Sequence, residues 1–198
     1  MFYYVLKGGV IMVFLIICSI TSLAVIIERI VMFRRCRINE EEFIKNIQTY
    51  ISRGEINRAI SLCDEVNIPF VNVMKSVLLA KAKGDKKLED ALEDSSLEEI
   101  PKLERYLPIL STIASVSTLL GFTGTVLGMI NAFNSIAQAG TSSPSIVASG
   151  IAQALVTTAT GLLIAIPTII FYHYFSNRVD KIARIVNLKG KELIEFLK

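Results

Sequence analysis

Three long apolar segments dominate the pattern of this chain and alternate with polar ones. They cover residues 8–27, 106–138 and 146–175. Each is at least about 20 residues long, which is the length that a hydrocarbon core about 30 Å thick requires. The last two approach 30 residues, and at a rise of about 1.5 Å per residue such helices extend past the bilayer. The pattern predicts an all-α, polytopic membrane protein with three transmembrane helices, two of them very long and extending into the cytoplasm.

Charge strengthens this interpretation for the last two spans. Residues 106–177 contain no Lys, Arg, Asp or Glu, although they are rich in Gly, Ser and Thr. A soluble domain of that size needs a charged surface, so the stretch belongs in lipid or inside a membrane assembly. The cluster of Gly, Pro, Ser and Thr at 139–145 predicts a short turn that makes the two spans an antiparallel hairpin.

Basic residues set the predicted orientation. Only Lys7 precedes the first span, and the 139–145 turn has no charge, whereas Arg and Lys residues flank the opposite ends of all three spans. Since cytoplasmic loops carry the excess of Lys and Arg, the N-terminus lies outside and the C-terminus inside. The predicted parts are a short periplasmic N-terminus (1–7), a cytoplasmic helical domain (28–105), a periplasmic turn (139–145) and a cytoplasmic C-terminal helix (176–198).

The 28–105 insertion is expected to be a small helical bundle. Asn39 followed by Glu42 resembles an N-cap with its acidic partner, and Gly54, Pro69 and Gly84 divide the helices. The insertion contains no His and no phosphate-binding or metalloprotease motif, so we predict no catalytic residue, metal or cofactor. Its 14 basic and 15 acidic residues are nearly balanced, which argues against a nucleic-acid partner. The cysteines, Cys18, Cys36 and Cys63, are expected to be free thiols.

Small residues line one face of each long span at alternating steps of three and four, the spacing of a helix face. We call this set the small-residue seam; it consists of Ala114, Thr118, Gly121, Gly124, Gly128 and Ala132 in the second span and of Gly150, Ala154, Gly161 and Ala165 in the third. Such residues let helix backbones approach closely in a membrane. Near mid-membrane the same spans carry Thr125 and Thr158.

Two arrangements of the seam remain open from the residues alone. The stripes can pack against each other inside one subunit, with threonine hydroxyls bonded to carbonyls four residues earlier. They can instead line a shared cavity in a ring, around another helix or a hydrated path. The spans contain no ionisable carboxylate except Glu28, at the edge of the first. Because a proton relay normally needs Asp, Glu or His, a proton-handling role would require a titrating group from a partner.

Two motifs resemble the signatures of one protein family. Residues 119–133, LLGFTGTVLGMINAF, resemble the LLGLLGTVxGMIxAF signature of the MotA/TolQ/ExbB proton-channel family. Residues 154–167, ALVTTATGLLIAIP, are similar to its second signature, ALxxTAxGLxxAIP. Weaker likenesses at 26–29 and 103–105 extend the resemblance over most of the chain. Three spans rather than four favour the ExbB/TolQ branch.

The resemblance implies a subunit of the bacterial inner membrane that forms a homopentameric ring. In such proteins the ring surrounds a single-span ExbD/TolR-type partner, whose membrane Asp takes up and releases protons, and a TonB/TolA-type protein can receive the work. Thr125 and Thr158 match the pore-facing threonines of the family. Gln153 stands where many relatives have Glu, which leaves the role of Gln153 undefined. Thr118 stands where many relatives have Pro.

The resulting hypothesis is a non-enzymatic motor subunit that couples proton flow to outer-membrane transport or envelope maintenance. The alternative is a small permease or membrane scaffold in which the seam only packs subunits. An enzyme is the third and least favoured reading, because no nucleophile–base pair is visible.

Overall fold

A computed structural model describes residues 9–85, 87–139 and 144–198 of the chain. Within those ranges the protein is helical and has no strand, which confirms the all-α prediction. The helices are α1 (Gly9–Arg35), α2 (Glu40–Ser52), α3 (Ile56–Asp64), α4 (Pro69–Ala82), α5 (Leu88–Glu104), α6 (Leu107–Ala139) and α7 (Pro144–Leu197). Of these described helices, α1, α6 and α7 are long and apolar enough to cross a membrane.

The chain divides into two compact units. The first comprises Met1–Glu28 and Leu107–His173, and the second comprises Arg29–Tyr106 and Tyr174–Lys198. Residues 176–198 were predicted to form a separate C-terminal helix, but α7 is a single helix of 54 residues that passes through both units. No helix-ending signal lies near residue 176, which explains the continuity. The predicted N-terminal segment 1–7, the helix start near Lys86 and the centre of the 139–145 turn lie outside the described residues.

The core of the first unit joins α1 to the two long spans. Ile11, Met12 and Leu15 of α1 are buried, and Leu15 is fully enclosed. The side chains packed against them are Leu120 of α6 and Val156 and Ile164 of α7. Another face of α1, which includes Val13, Ile20 and Leu23, presents an exposed apolar surface, as expected for a helix that faces lipid.

The second unit is a helical bundle with a conventional apolar core. Helices α2 to α5 pack in chain order, and the last turns of α7 add Val186, Leu193, Ile194 and Leu197 to the same core. Phe43 of α2 meets Phe70 of α4 edge to face, with ring centroids 6.1 Å apart. The burial of α7 residues here shows why residues 28–105 alone do not complete the bundle.

Local signals in the bundle match the structure closely. Asn39 caps α2, its side-chain oxygen accepting a hydrogen bond from the Glu42 amide at 3.4 Å, so the N-cap prediction is confirmed. Gly54 and Gly84 follow helix ends with φ of 75° and 79°, the left-handed conformation that glycine adopts without strain. Helix α3 ends at Asp64, before the divider at Pro69.

The junction between α5 and α6 is held by a buried arginine. Arg29, only 3% exposed, donates from Nη1 to the Leu103 carbonyl oxygen at 3.0 Å. Its guanidinium also lies over the Tyr106 ring, 4.9 Å from the centroid. This carbonyl belongs to the last turn of α5, where helical partners run out. Arg29 thus stabilises the break between the two helices.

Candidate functional site

The small-residue seam brings α6 and α7 into backbone contact within the first unit. A Cβ placed on Gly161 would lie 2.5 Å from the Ser117 carbonyl oxygen and 3.0 Å from the Gly121 Cα. A Cβ on Gly121 would lie 3.3 Å from the Thr158 Cα. Only residues without a side chain permit so close a crossing, which is the physical basis of small-residue packing in membranes.

The contact continues outward from this point in antiparallel register. A Cβ on Gly124 would come 2.6 Å from the Thr157 Cβ, and one on Gly128 would come 2.8 Å from the Ala154 Cβ. Gly150 lies against Ala132 in the same way. The structure thus pairs the two predicted stripes with each other inside a single chain.

The remaining seam positions are divided between the buried contact and an open groove. Ala114, Ala132, Ala154 and Ala165 are all buried. Thr118 is exposed, and its hydroxyl donates to the Ala114 carbonyl oxygen at 3.0 Å. It lines a groove together with Ala114 and Ser115 of α6 and Leu162, Ala165, Ile166 and Ile169 of α7.

The two family-matched threonines meet at one backbone oxygen. Thr158 is half-buried, and its hydroxyl donates to the Gly121 carbonyl oxygen at 2.8 Å across the helix pair. In a regular α-helix the amide of residue 125 donates to the carbonyl of residue 121, and α6 is helical throughout this region. The Gly121 oxygen therefore accepts from both the Thr158 side chain and the Thr125 backbone, which occupies its two lone pairs.

Thr125 itself is half-buried and keeps its hydroxyl on its own helix. The hydroxyl donates to the Phe122 carbonyl oxygen at 2.6 Å, three residues earlier. Such a local bond competes only weakly with other partners, because rotation about χ1 releases it. Thr125 and Thr158 are therefore neighbours along the seam that differ in how firmly their hydroxyls are engaged.

Gln153 lies apart from the threonine pair, near the start of α1. It is half-buried, and its side-chain nitrogen is 3.3 Å from the position that a Cβ on Gly9 would occupy. Gly9 has a φ of 65°. The amide thus fills space beside a helix end, and the structure gives it no charged neighbour among the described residues of the first unit.

Two buried hydroxyls in the seam were missed by sequence reasoning. Thr157 is 1% exposed, covers Gly124 and donates to the carbonyl oxygens of Gln153 and Ala154 at 3.0 and 2.9 Å. Ser117 is fully buried, and its hydroxyl has no partner within the described part of the chain. Steps of three and four from Ala154 to Gly161 also include position 157, and the same steps from Ala114 to Gly121 include position 117. The helical period could therefore have revealed both hydroxyls.

The other predicted residues have simpler surroundings. Across the described ranges Cys18, Cys36 and Cys63 are free, as expected. No group of three His, Cys, Asp or Glu residues suited to a metal occurs in those ranges. Burial raises the pKa of the Cys63 thiol to about 12, and the adjacent Asp64 charge adds to the effect.

Comparison with known proteins places these features in context. ExbB-like 3 of Synechocystis sp. is 28% identical over 172 residues, which cover 86% of this chain and 82% of that protein. The biopolymer transport protein ExbB of Salmonella typhimurium is 27% identical over 206 aligned positions, covering 92% and 82%. The Tol-Pal system protein TolQ of Haemophilus influenzae is 45% identical over 84 residues, covering 42% of this chain and 37% of TolQ.

The family assignment rests on the breadth of one further match. The model of the MotA/TolQ/ExbB proton channel family matches residues 65–187, which include the described parts of α6, the α6–α7 contact and most of α7. That region is more than half of the chain, and the relatives carry the names ExbB and TolQ. The chain is therefore a membrane protein that belongs to the MotA/TolQ/ExbB proton channel family, in its ExbB/TolQ branch.

Proposed function

We propose that this chain is a ring-forming subunit of an inner-membrane motor driven by the proton-motive force. One observation carries the proposal: residues 106–177 contain hydroxyls at the matched positions 125 and 158 but no carboxylate. A channel family implies proton movement, and this hairpin has no Asp or Glu to carry the proton. A single-span ExbD/TolR-type partner then supplies a membrane aspartate, and the chain acts as a channel subunit rather than as an enzyme.

The assembly that follows is a homopentamer with the partner in its central pore. The N-terminus is periplasmic and the C-terminus cytoplasmic, so the basic residues that flank the spans lie on the cytoplasmic side. Protonation and release of the partner aspartate drive rotation of one component within the other. A TonB/TolA-type protein conveys the work to outer-membrane transport or envelope maintenance.

The hydrogen bonds of the two threonines give each a distinct role in this cycle. The Thr158 hydroxyl donates its hydrogen to the Gly121 carbonyl oxygen, so only its oxygen lone pairs remain to accept a hydrogen bond from a partner. A protonated aspartic acid can donate to those lone pairs, and such a bond favours the neutral acid. Thr125 can rotate its hydroxyl away from Phe122 and donate to the ionised carboxylate instead. Alternation between these two bonds eases proton uptake and release in a low-dielectric pore.

The test substitutes each threonine in the chain reconstituted with its ExbD/TolR-type partner. We expect Thr158→Ala and Thr125→Val to preserve assembly, measured by native mass spectrometry, and to abolish proton flux into proteoliposomes under an imposed proton-motive force. Thr158→Ser keeps the hydroxyl and should retain flux. Full flux in both Thr158→Ala and Thr125→Val would contradict the proposal.

A matched control comes from the same helix. Thr123 is exposed, and its hydroxyl donates to the Leu119 carbonyl oxygen at 2.8 Å. Thr123→Val therefore removes a similar local bond two residues from Thr125, and we expect normal flux. A comparable loss in this variant would mean that the effect is a general response of α6.

The rival function, a scaffold whose seam only packs helices, also has an observation in its favour. The Thr158 hydroxyl is bonded within its own chain, which is what such a seam requires. The purified chain alone separates the two functions, because a pentamer with a central apolar pore fits the motor and a monomer or closed dimer fits the scaffold. The same measurement on purified Thr158→Ala tests the scaffold, because the scaffold predicts that this variant weakens assembly.

A further inference from the structure

Six basic side chains in the described part of the second unit form salt bridges with carboxylates. Salt bridges at 3.5 Å or less join Arg58 to Glu55, Lys75 to Asp64, Lys87 to Asp90, Lys102 to Glu98 and Glu99, Lys189 to Glu192, and Lys198 to Glu89. The end of α1 differs, because residues 29–38 include four arginines and no Asp or Glu. The end of α1 is therefore a locally positive segment of the second unit.

The four arginines have two different environments. Arg29 is buried and engaged at the α5–α6 junction. Arg34, Arg35 and Arg37 are exposed, and none has a carboxylate partner among the described residues. We call these three residues the arginine cluster. Its guanidinium groups are therefore available to an anion that the chain does not itself provide.

The position of the cluster relates it to the membrane surface. On α1, Ile27 and Val31 are 54% and 44% exposed, and by helical spacing residues 27, 31, 34 and 35 share one face. The apolar face that suits lipid chains therefore leads directly to the cluster, about one turn beyond Val31. A span that ends near residue 27 would bring the cluster to the phospholipid headgroups, and basic clusters immediately beyond a span attract anionic lipids.

The segment that carries the cluster is held in place by the fold. Phe33, 8% exposed, stacks on Phe175 of α7 with centroids 5.5 Å apart. The Cys36 amide still donates to the Met32 carbonyl oxygen at 3.0 Å, so the last turn remains helical. A fixed backbone lowers the entropic cost of binding, and guanidinium groups match phosphate oxygens in a bidentate geometry.

We propose that the arginine cluster is a binding site for the headgroup phosphates of anionic phospholipids. The site lies at the membrane surface where α1 ends, and it is independent of proton transfer through the seam. Its function would be to fix the depth of α1 in an anionic leaflet. The inference concerns lipid binding alone, so it can fail or succeed whatever happens to the proposed motor function.

The test measures the lipid preference of the full chain in uncharged detergent micelles. Tail-labelled phosphatidylglycerol and phosphatidylcholine with identical acyl chains are titrated, and the ratio of their dissociation constants is recorded. We expect the unmodified chain to prefer phosphatidylglycerol and Arg34→Gln/Arg35→Gln to lose about tenfold or more of that preference. Arg34→Lys/Arg35→Lys keeps the charge but not the planar fork, so it should retain part of it.

The control removes the same charge from elsewhere in the bundle. Lys83 and Lys191 are exposed and have no carboxylate partner among the described residues. Lys83→Gln/Lys191→Gln should keep the preference of the unmodified chain. An equal loss in this control would overturn the proposal, because net charge alone would then explain the binding.

Two further outcomes would overturn the proposal without any variant. One is equal binding of the two lipids by the unmodified chain, which remains decisive even if Arg34→Gln/Arg35→Gln fails to fold. The other is displacement of phosphatidylglycerol by an equal concentration of inorganic phosphate, because the site would then hold free phosphate rather than a lipid headgroup. Resistance to phosphate at that concentration supports the lipid.

Discussion

At the scale of single residues, Gly161 leaves the least room for a side chain next to backbone atoms among the described glycines of the seam. The atom that a new Cβ would meet is the Ser117 carbonyl oxygen, 2.5 Å away. A backbone oxygen inside a helix cannot rotate aside as a side chain can. Any residue larger than glycine must therefore separate α6 from α7, and the separation would also lengthen the Thr158 to Gly121 hydrogen bond.

We predict that Gly161→Ala lowers the free energy of unfolding of the full chain in detergent by about 1–3 kcal/mol, as overpacking commonly does. The measurement is reversible SDS or thermal unfolding followed by circular dichroism. Ala159→Ser, at an exposed position two residues away, serves as the control and should change stability little. Unchanged stability of Gly161→Ala would show that the two helices are not in backbone contact.

Cys63 gives a prediction that depends on pH. Burial raises its pKa from 9.0 to about 12, so the folded protein holds the thiol protonated where the unfolded chain begins to ionise. Between those two values the unfolded state binds fewer protons, and stability therefore falls as pH rises above about 9. We expect Cys63→Ser to reduce this alkaline loss.

Alkylation provides the second readout for the same group. At pH 8 Cys63 should react with iodoacetamide only after the bundle is unfolded, because the thiolate is the reactive form. Mass spectrometry of the digested protein, with and without denaturant, checks this. Rapid labelling of Cys63 in the folded protein would contradict both its burial and its raised pKa.

Residue types revealed the seam but not its partners. The spacing of Gly121, Gly128 and Gly161 was enough to predict a small-residue face on each span. Which hydroxyl lies in the contact depends on rotation of the helices by a fraction of a turn, and that rotation is set by packing. For this reason Thr157 was overlooked beside Thr158, and Ser117 beside Thr118.

At the scale of elements, a second close contact joins α5 to the C-terminal end of α7. A Cβ on Gly190 would overlap the Leu92 side chain, whose methyl groups lie directly over the glycine. Unlike the contact at Gly161, the obstacle here is a side chain. Leu92 is buried, so its movement has a cost, but that cost can be removed by shortening the side chain.

We therefore predict strong coupling between Gly190 and Leu92 in a double-mutant cycle. Gly190→Ala should destabilise the bundle by overpacking, and Leu92→Ala should cost about 2–5 kcal/mol through the cavity that it leaves. In the double variant the new methyl occupies part of that cavity. The double variant should therefore lose less stability than the sum of the two single losses, by about 0.5 kcal/mol or more. Urea unfolding of the three variants measures this, and simple additivity would refute the contact.

Element boundaries were predicted well wherever a local signal exists. Asn39, Gly54, Pro69 and Gly84 each mark a boundary through capping, left-handed backbone or a missing amide, and those causes act within a few residues. The contact that stabilises the break at Arg105–Tyr106 could not be predicted, because it joins residues distant in sequence. Arg29, 74 positions earlier than its acceptor at Leu103, provides the hydrogen bond that stabilises the helix end.

At the scale of the whole molecule, the last turns of α7 complete the core of the second unit. Leu193, Ile194 and Leu197 are nearly inaccessible to solvent, and Lys81 donates a hydrogen bond to the Leu197 carbonyl oxygen. Each buried side chain of this size contributes about 1.5–3 kcal/mol. The bundle formed by residues 29–106 is therefore incomplete without the C-terminus.

We predict that deletion of residues 190–198 makes the 29–106 region sensitive to limited proteolysis while the spans stay membrane-inserted. Lys198→Gln is the matched control, since it removes only an exposed ion pair with Glu89, and such pairs contribute little to stability. Fragments resolved by mass spectrometry give the result. A protease-resistant bundle in the deletion variant would show that α7 is dispensable for its core.

The uninterrupted length of α7 has a consequence for insertions and deletions. One helix carries the buried face around Thr157 and Gly161 and also the buried face around Val186 and Leu193. Adding one residue between them would turn one face by about 100° about the helix axis, whereas adding seven restores the phase to within about 20°. The rotational phase of these two buried faces is therefore fixed by the number of residues between them in one continuous helix.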